Sequence, residues 1–181
     1  MNPLQVISKY YQPQSPAYHI LVEHSQAVAN MAVEIARRHP ALNADANFIY
    51  EAAMLHDIGI FKTDAPDLYC YGALPYICHG NQGRIILERE GYPRHALVCE
   101  RHTGAGLSLV DIAAQNMPIP HRDMLPLSIE EQIICYADKF FSKSGTLTTP
   151  KSIERVRKSL LKFGDNQVTR FEQWHQQFAI I

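Results

Sequence analysis

The chain has 181 residues, of which 46% are hydrophobic and 19% are charged. Its 17 basic and 18 acidic side chains give a net charge of −1. This balance argues against a general nucleic-acid binder, since such proteins usually carry a large basic excess. The sequence contains no run of about 18 apolar residues that could span a bilayer, and its N-terminal stretch lacks the basic start and apolar core of a signal peptide.

Helical periodicity runs through almost the whole chain and predicts one all-α domain, a compact bundle of helices. Ser15 followed by Pro16 is typical of an N-cap and first helical position. Gly59 is expected to end the second helix in a left-handed conformation. In chain order, the predicted helices cover about residues 16–39, 45–57, 77–90, 93–102, a brief helix from 108, then 128–142, 150–164 and 166–178.

The ends of the later helices are also predicted from residues close to them in sequence. Gly91 is expected to end the third helix, and Ser128 with Glu131 has the spacing of a capping box. Thr149-Pro150 is expected to open the next helix. No segment shows the alternation typical of a β-strand.

The cysteines show neither Cys-x-x-Cys spacing nor the density of a disulfide-stapled secreted fold. They are Cys70, Cys78, Cys99 and Cys135. We therefore expect reduced thiols in a cytoplasmic protein. Histidine is the unusual residue, because the chain has nine where ordinary composition would give roughly four.

Three of the predicted helices place an ionisable residue where the apolar stripe calls for an apolar one. His24 lies in the middle of its stripe, His56 lies on the buried side of its helix directly before Asp57, and Asp138 follows Ile134 by one turn. Burying an unpaired carboxylate is costly, and no basic residue occupies an equivalent inward position in these helices. A divalent cation held by imidazole nitrogens and carboxylate oxygens would satisfy the whole set.

Each of these residues also has an ordinary structural explanation when it is taken singly. A buried histidine such as His24 commonly donates to a backbone carbonyl. Asp138 could pair with the adjacent Lys139, and Asp57 could accept backbone hydrogen bonds in the loop that follows it. Three separate helices would each need such an explanation, so the joint pattern favours a metal site.

The order of these residues resembles a known signature. His24, then His56-Asp57-Ile58-Gly59, then Asp138 in Tyr-Ala-Asp-Lys is similar to the H…HD…D pattern of the HD-domain superfamily of metal-dependent phosphohydrolases, in its HDIG form. The resemblance covers about residues 18–143, and it implies a single HD-type domain over 1–181 with a helical C-terminal extension at 150–179. It also implies one metal ion held by His24, His56, Asp57 and Asp138.

Two further histidines match a six-ligand, dinuclear variant of this family. His79 and His102 lie between the HD pair and the last aspartate, as the added ligands of that variant do. The resemblance then implies that Asp57 bridges two ions, with one oxygen to each. The ordinary alternatives are a surface loop histidine for His79 and a favourable helix C-terminal residue for His102.

The chain departs from the branch of the family that hydrolyses cyclic dinucleotides. That branch has paired histidines where this chain has His102-Thr103, and a lysine where this chain has Ile60. The departure argues against cyclic-dinucleotide hydrolysis. It also leaves the second metal with three protein ligands, and hence with open positions for water and substrate.

The predicted function is hydrolysis of a small phosphoester, such as a nucleotide, by a metal-activated water, with Asp57, His79 and His102 as catalytic residues. The ions are expected to be one or two of iron, manganese, cobalt or zinc. The expected partner is a small anionic phosphoester, not a nucleic-acid polymer or a membrane, and the oligomeric state is left open. The residues expected to contact the phosphate are Lys62, Arg101, Lys139 and Lys143.

Two other functions fit the same residues. Some HD proteins with this ligand set hold two irons and use dioxygen to oxidise a polyol or a phosphonate. A non-enzymatic sensor that binds a metal or a nucleotide is the third possibility. Each of the four basic residues could also be an ordinary solvated charge.

Overall fold

Caps and prolines start the main helices where the sequence predicts. The computed structural model describes residues 1–179, so the last two residues of the predicted domain lie outside the described range. The Ser15 hydroxyl accepts the backbone N–H of Tyr18, with Pro16 in the first helical position. The Ser128 hydroxyl likewise accepts the N–H of Glu131. These contacts satisfy amide donors that have no partner within the helix.

The described range confirms the all-α expectation. Besides the helices it holds one antiparallel pair of two-residue strands, β1 (Asp64–Ala65) and β2 (Cys70–Tyr71). No helix in residues 1–179 is both long enough and apolar enough to cross a membrane. The helices are α1 (Pro3–Ile7), α2 (Pro16–Arg38), α3 (Ala46–Leu55), α4 (His79–Arg89), α5 (Pro93–Arg101), α6 (Leu109–Ala114), α7 (Ile129–Asp138), α8 (Ile153–Leu161) and α9 (Asp165–Phe178).

The expectation for Gly59 is wrong. Gly59 does not have a positive φ; it lies in a 3-10 turn, Ile58–Lys62, that follows the His-Asp pair. A Cβ at this position would lie 2.2 Å from the carbonyl oxygen of His79 and 2.4 Å from the amide nitrogen of Gly83. Glycine is needed here because the turn packs backbone to backbone against α4. By contrast, Gly91 has a φ of +83° at the end of α4, as expected.

The start predicted for α8 is also displaced. Thr149-Pro150 does not cap the helix; Ser152 does, accepting the N–H of Arg155. Ser152, three residues after Thr149, competes for the same helix start, and serine is the stronger N-cap.

The central core joins the buried faces of α2, α3 and α7 and is closed by α9. Tyr136 of α7 stacks on Phe171 of α9, with ring centroids 5.2 Å apart. A second core lies under α1 and α4, where the Tyr11 hydroxyl donates to the carbonyl of Ile58 and accepts the N–H of Phe61. These two hydrogen bonds hold the turn after the His-Asp pair in place.

Candidate metal centre

The six residues predicted as metal ligands meet at one buried point. They come from α2, from the turn after α3, from the first residue of α4, from the residue after α5 and from the last residue of α7. Each is at most 6% exposed. They are His24, His56, Asp57, His79, His102 and Asp138.

One half of the cluster joins two imidazoles to two carboxylates. The Nε2 atom of His24 lies 3.1 Å from Oδ1 of Asp138 and 3.4 Å from Oδ2 of Asp57. The Nε2 atom of His56 lies 3.1 Å from Oδ2 of Asp57 and 3.5 Å from Oδ1 of Asp138. Nitrogen and oxygen ligands at this spacing can converge on a single transition-metal ion.

The other half uses the second oxygen of the same aspartate. Oδ1 of Asp57 lies 3.4 Å from Nε2 of His79 and 3.3 Å from Nε2 of His102. The two oxygens of Asp57 therefore face two different pairs of histidines. This is the geometry that a bridging carboxylate requires.

Backbone carbonyls orient three of the histidines. In each case Nδ1–H donates to the carbonyl three residues earlier, which places a proton on Nδ1 and directs Nε2 inward. The pairs are His56 with Ala53 at 2.6 Å, His79 with Tyr76 at 2.7 Å, and His102 with Cys99 at 2.8 Å.

The contact between His79 and His102 is the observation that fits a bound cation best. Their Nε2 atoms are 3.1 Å apart. Burial lowers the pKa of His79 to about 3 and lowers that of His102 as well, so both rings are neutral near pH 7. Two lone pairs then face each other with no proton between them, an arrangement that a shared or neighbouring cation would relieve.

The carboxylates, unlike the imidazoles, have cationic partners. Lys143 Nζ lies 2.7 Å from Oδ2 of Asp57, and Lys139 Nζ lies 2.8 Å from Oδ2 of Asp138. Both lysines follow the end of α7, so they reach the carboxylates from outside the predicted apolar stripes, and the pairing of Asp138 with Lys139 is the ordinary alternative named for that residue. Burial would raise the pKa of each carboxyl, but the neighbouring cations hold it well below its usual range.

The neighbouring carboxylates favour a proton on Nε2 of His56. Burial alone would lower its pKa, but Asp57 and Asp138 outweigh that effect and raise the pKa to about 9. A metal ion on Nε2 would replace this proton, and metal affinity is expected to fall as the pH falls.

Within the described part of the chain, two of the four residues predicted to contact the phosphate, Lys62 and Arg101, make no ion pair with the metal cluster. Lys62 is exposed, with Nζ 5.0 Å from the centroid of the Phe61 ring. The guanidinium of Arg101 binds both carboxylate oxygens of Glu131, at 2.9 and 3.0 Å. Among residues 1–179 neither forms an ion pair with the six-residue cluster, so a role for them in phosphate binding stays a prediction.

Tyr76 also belongs to the site, although it was not among the residues predicted from the sequence. Its ring stacks on His79, with centroids 4.6 Å apart, and its carbonyl accepts the proton of the same histidine. The aromatic residue three positions before His79 was a signal that could have identified it, because residues with that separation become neighbours in a helical turn.

Metal ions are expected to stabilise the folded chain. Manganese, cobalt, zinc or iron at about 100 times the dissociation constant should raise the melting temperature by about 5 °C or more over protein in chelator. Differential scanning fluorimetry measures the shift. Calcium, which prefers oxygen ligands, serves as the control, and the absence of a shift with all four transition metals would argue against the site.

Replacing His102 by alanine is expected to remove one ion and spare the other. His102 faces only Oδ1 of Asp57, whereas His24 and His56 face Oδ2. Elemental analysis after dialysis measures the ions retained per chain. His121→Ala, which removes an exposed loop histidine, is the control, and His102 is only structural if its loss leaves the metal content unchanged.

Known proteins show similarity in both sequence and fold. The chain is 29% identical over 155 residues to a tRNA (cytidine(56)-2'-O)-methyltransferase of Thermoplasma volcanium, covering 85% of this chain and 41% of that protein. It is 26% identical over 163 residues to the protein of the same name from Picrophilus torridus, covering 90% of this chain and 42% of that protein. The chain thus spans about two fifths of the length of these methyltransferases.

An uncharacterized protein of Methanocaldococcus jannaschii is 30% identical over 145 residues, which is 78% of each chain. Among solved structures, the HD domain of the L. monocytogenes phosphodiesterase PgpH has a TM-score of 0.53 at 18% identity, covering 99% of this chain and 89% of that one. Its complex with cyclic-di-AMP has a TM-score of 0.50 at 16% identity, covering 99% and 98%. A family model described as the HD domain matches residues 21–142, so the chain belongs to the HD domain family.

Proposed function

We propose that the chain is a metal-dependent phosphohydrolase that cleaves a small phosphoester with water. The observation that carries the proposal is Asp57, whose two oxygens face two separate pairs of histidines. Membership of the HD domain family supports the reaction class. Methyl transfer is not proposed, because the chain corresponds to only about two fifths of the relatives with that name.

The donor set fits one or two ions of iron, manganese, cobalt or zinc. His24, His56, Asp57 and Asp138 would hold the first, and Asp57 with His79 and His102 the second. Ions bound there would lower the pKa of a water molecule and offset negative charge on the phosphoryl group.

The protein side chains and backbone orient the metal-binding rings, exclude bulk water from the cluster and supply positive charge. Backbone carbonyls fix the ring orientations of three of the histidines, and burial of the cluster excludes bulk water. Lys139 and Lys143 place two ammonium groups beside the carboxylates, where they would also attract a phosphate. In the reaction the water oxygen bonds to phosphorus, the ester P–O bond breaks, and the alcohol leaves with a proton.

The test is phosphate release by purified protein that has been stripped of metal and reloaded with manganese or cobalt. Substrates include p-nitrophenyl phosphate and bis(p-nitrophenyl) phosphate, followed by a panel of small phosphoesters. We expect hydrolysis that depends on added metal and is abolished by Asp57→Ala. Fully loaded protein that cleaves no phosphoester, or that instead consumes oxygen at a coloured iron centre, would overturn the proposal.

A further inference from the structure

Two cavities meet beside the metal centre, and Phe163 and Gly104 line both of them. One, of about 200 Å³, reaches Asp138. The other, of about 210 Å³, reaches His79. They will be called the cation cavity and the apolar cavity. Phe163, which is 52% exposed, comes from the segment between α8 and α9 and borders both cavities.

The cation cavity carries surplus positive charge. Lys139, Lys143 and Lys151 line it, against the single carboxylate of Asp138. Lys151 is half-buried, and within residues 1–179 its ammonium has neither an ion pair nor a hydrogen bond with an acidic side chain. Burial lowers the pKa of Lys151, and Lys139 and Lys143 act in the same direction, whereas Asp138 opposes them. Such a cavity is complementary to an anion.

The apolar cavity offers ring and alkyl surface. Its lining includes Tyr76, Leu107, Met117 and Phe163. The polar atoms of Gln167, which also lines it, are already engaged: Oε1 accepts the N–H of Ala105 at 2.6 Å, and Nε2 donates to the carbonyl of Gly106 at 2.8 Å.

His79 likewise offers no free hydrogen-bond donor to the apolar cavity. Its Nδ1–H is given to Tyr76, and its Nε2 faces the metal cluster. A ligand group in this cavity would therefore meet hydrophobic contact and few free hydrogen-bonding partners.

We propose that the substrate is a phosphoester of a flat, apolar ring, with its phosphoryl group in the cation cavity and its ring in the apolar cavity against Phe163. This inference rests on the proposed phosphohydrolase function and specifies its substrate class. A group with several polar edges would lose its hydrogen bonds to water in the apolar cavity and gain few in return. The ring of an aryl or cyclic hydrocarbon ester forms no such hydrogen bonds to water, so its burial carries no such cost.

Binding of two phosphonates tests the inference separately from catalysis, since a C–P bond is not a substrate for ester hydrolysis. Phenylphosphonate and methylphosphonate are titrated by calorimetry into manganese-loaded protein. We expect phenylphosphonate to bind at least about tenfold more tightly, from burial of the ring. Phe163→Ala should reduce that preference to about threefold or less, and Lys151→Ala should weaken both probes about equally.

Matched controls come from α8, which lies between Lys151 and Phe163 in the chain. Leu161→Ala removes an exposed apolar side chain, and Lys158→Ala removes an exposed cation; neither residue lines the two cavities. Equal affinity for the two phosphonates, no binding of either, or the same result for Phe163→Ala and Leu161→Ala would overturn the inference. Phosphate release from the ester panel, measured in parallel, shows whether the proposed function stands when the inference fails.

Discussion

Replacing Asp57 by asparagine is expected to lower the metal content at both positions of the centre. Each oxygen of the carboxylate faces its own pair of histidines, and the amide replaces one oxygen by an NH₂ group that cannot bind a cation. Loss of groups that merely orient metal ligands typically costs about 10–100-fold in affinity, so we expect at least about 100-fold here. Elemental analysis after equilibrium dialysis measures both ions, and phosphate release should fall with them.

Asp45→Asn is a matched control for this substitution. Asp45 caps α3, the helix that leads into the His-Asp pair, by accepting the N–H groups of Asn47 and Phe48. Asparagine caps helices about as well as aspartate, so fold and metal content should be preserved. If Asp57→Asn kept one ion at full occupancy, the carboxylate would not be shared and the centre would have to be described as two independent sites.

Local signals explain how much of the fold could be predicted. The Ser15-Pro16 and Ser128 caps act through hydrogen bonds to residues three positions away, and their effect can be read directly from the chain. The convergence of His24, His56 and Asp138 could be predicted because ionisable residues on the buried faces of three helices need partners in the same core.

Long-range contacts explain what could not be predicted. Helical periodicity suggested that α7 continues to about residue 142, but it ends at Asp138. The chain then leaves the helix, and Lys143 reaches Asp57 instead of lying on a helical surface. The pairing of β1 with β2 was invisible because two-residue strands are too short to show alternation.

Gly59 is a further case in which the residue was conspicuous but its role was not. Glycine after the end of a helix is common as a left-handed cap, and that local rule gave the wrong reason for it. The actual reason is the backbone of α4, which is distant in sequence and close in space. A single sequence contains no sign of that contact.

Replacing Gly59 by alanine is expected to reduce the free energy of unfolding by about 3 kcal/mol or more, at the upper end of the cost of overpacking. The added Cβ would overlap the carbonyl oxygen of His79 and the amide nitrogen of Gly83. These are backbone atoms, so relief requires α4 as a whole to move away from the turn that carries Asp57. Because His79 is the first residue of α4, the ion between His79 and His102 should be lost before the other one. Urea unfolding measures the stability, and metal titration measures the order of loss.

Gly91→Ala separates this packing effect from the general cost of replacing a glycine. Gly91 has a φ of +83°, but a Cβ there would meet no atom within 4 Å, so the cost should be only the left-handed strain of about 1–2 kcal/mol. Its metal content should not change, because the end of α4 lies far along the helix from His79. If Gly59→Ala proved no more destabilising than Gly91→Ala, the close contact between the turn and α4 would be wrong. The position of His79 opposite Asp57 would then lose its structural explanation.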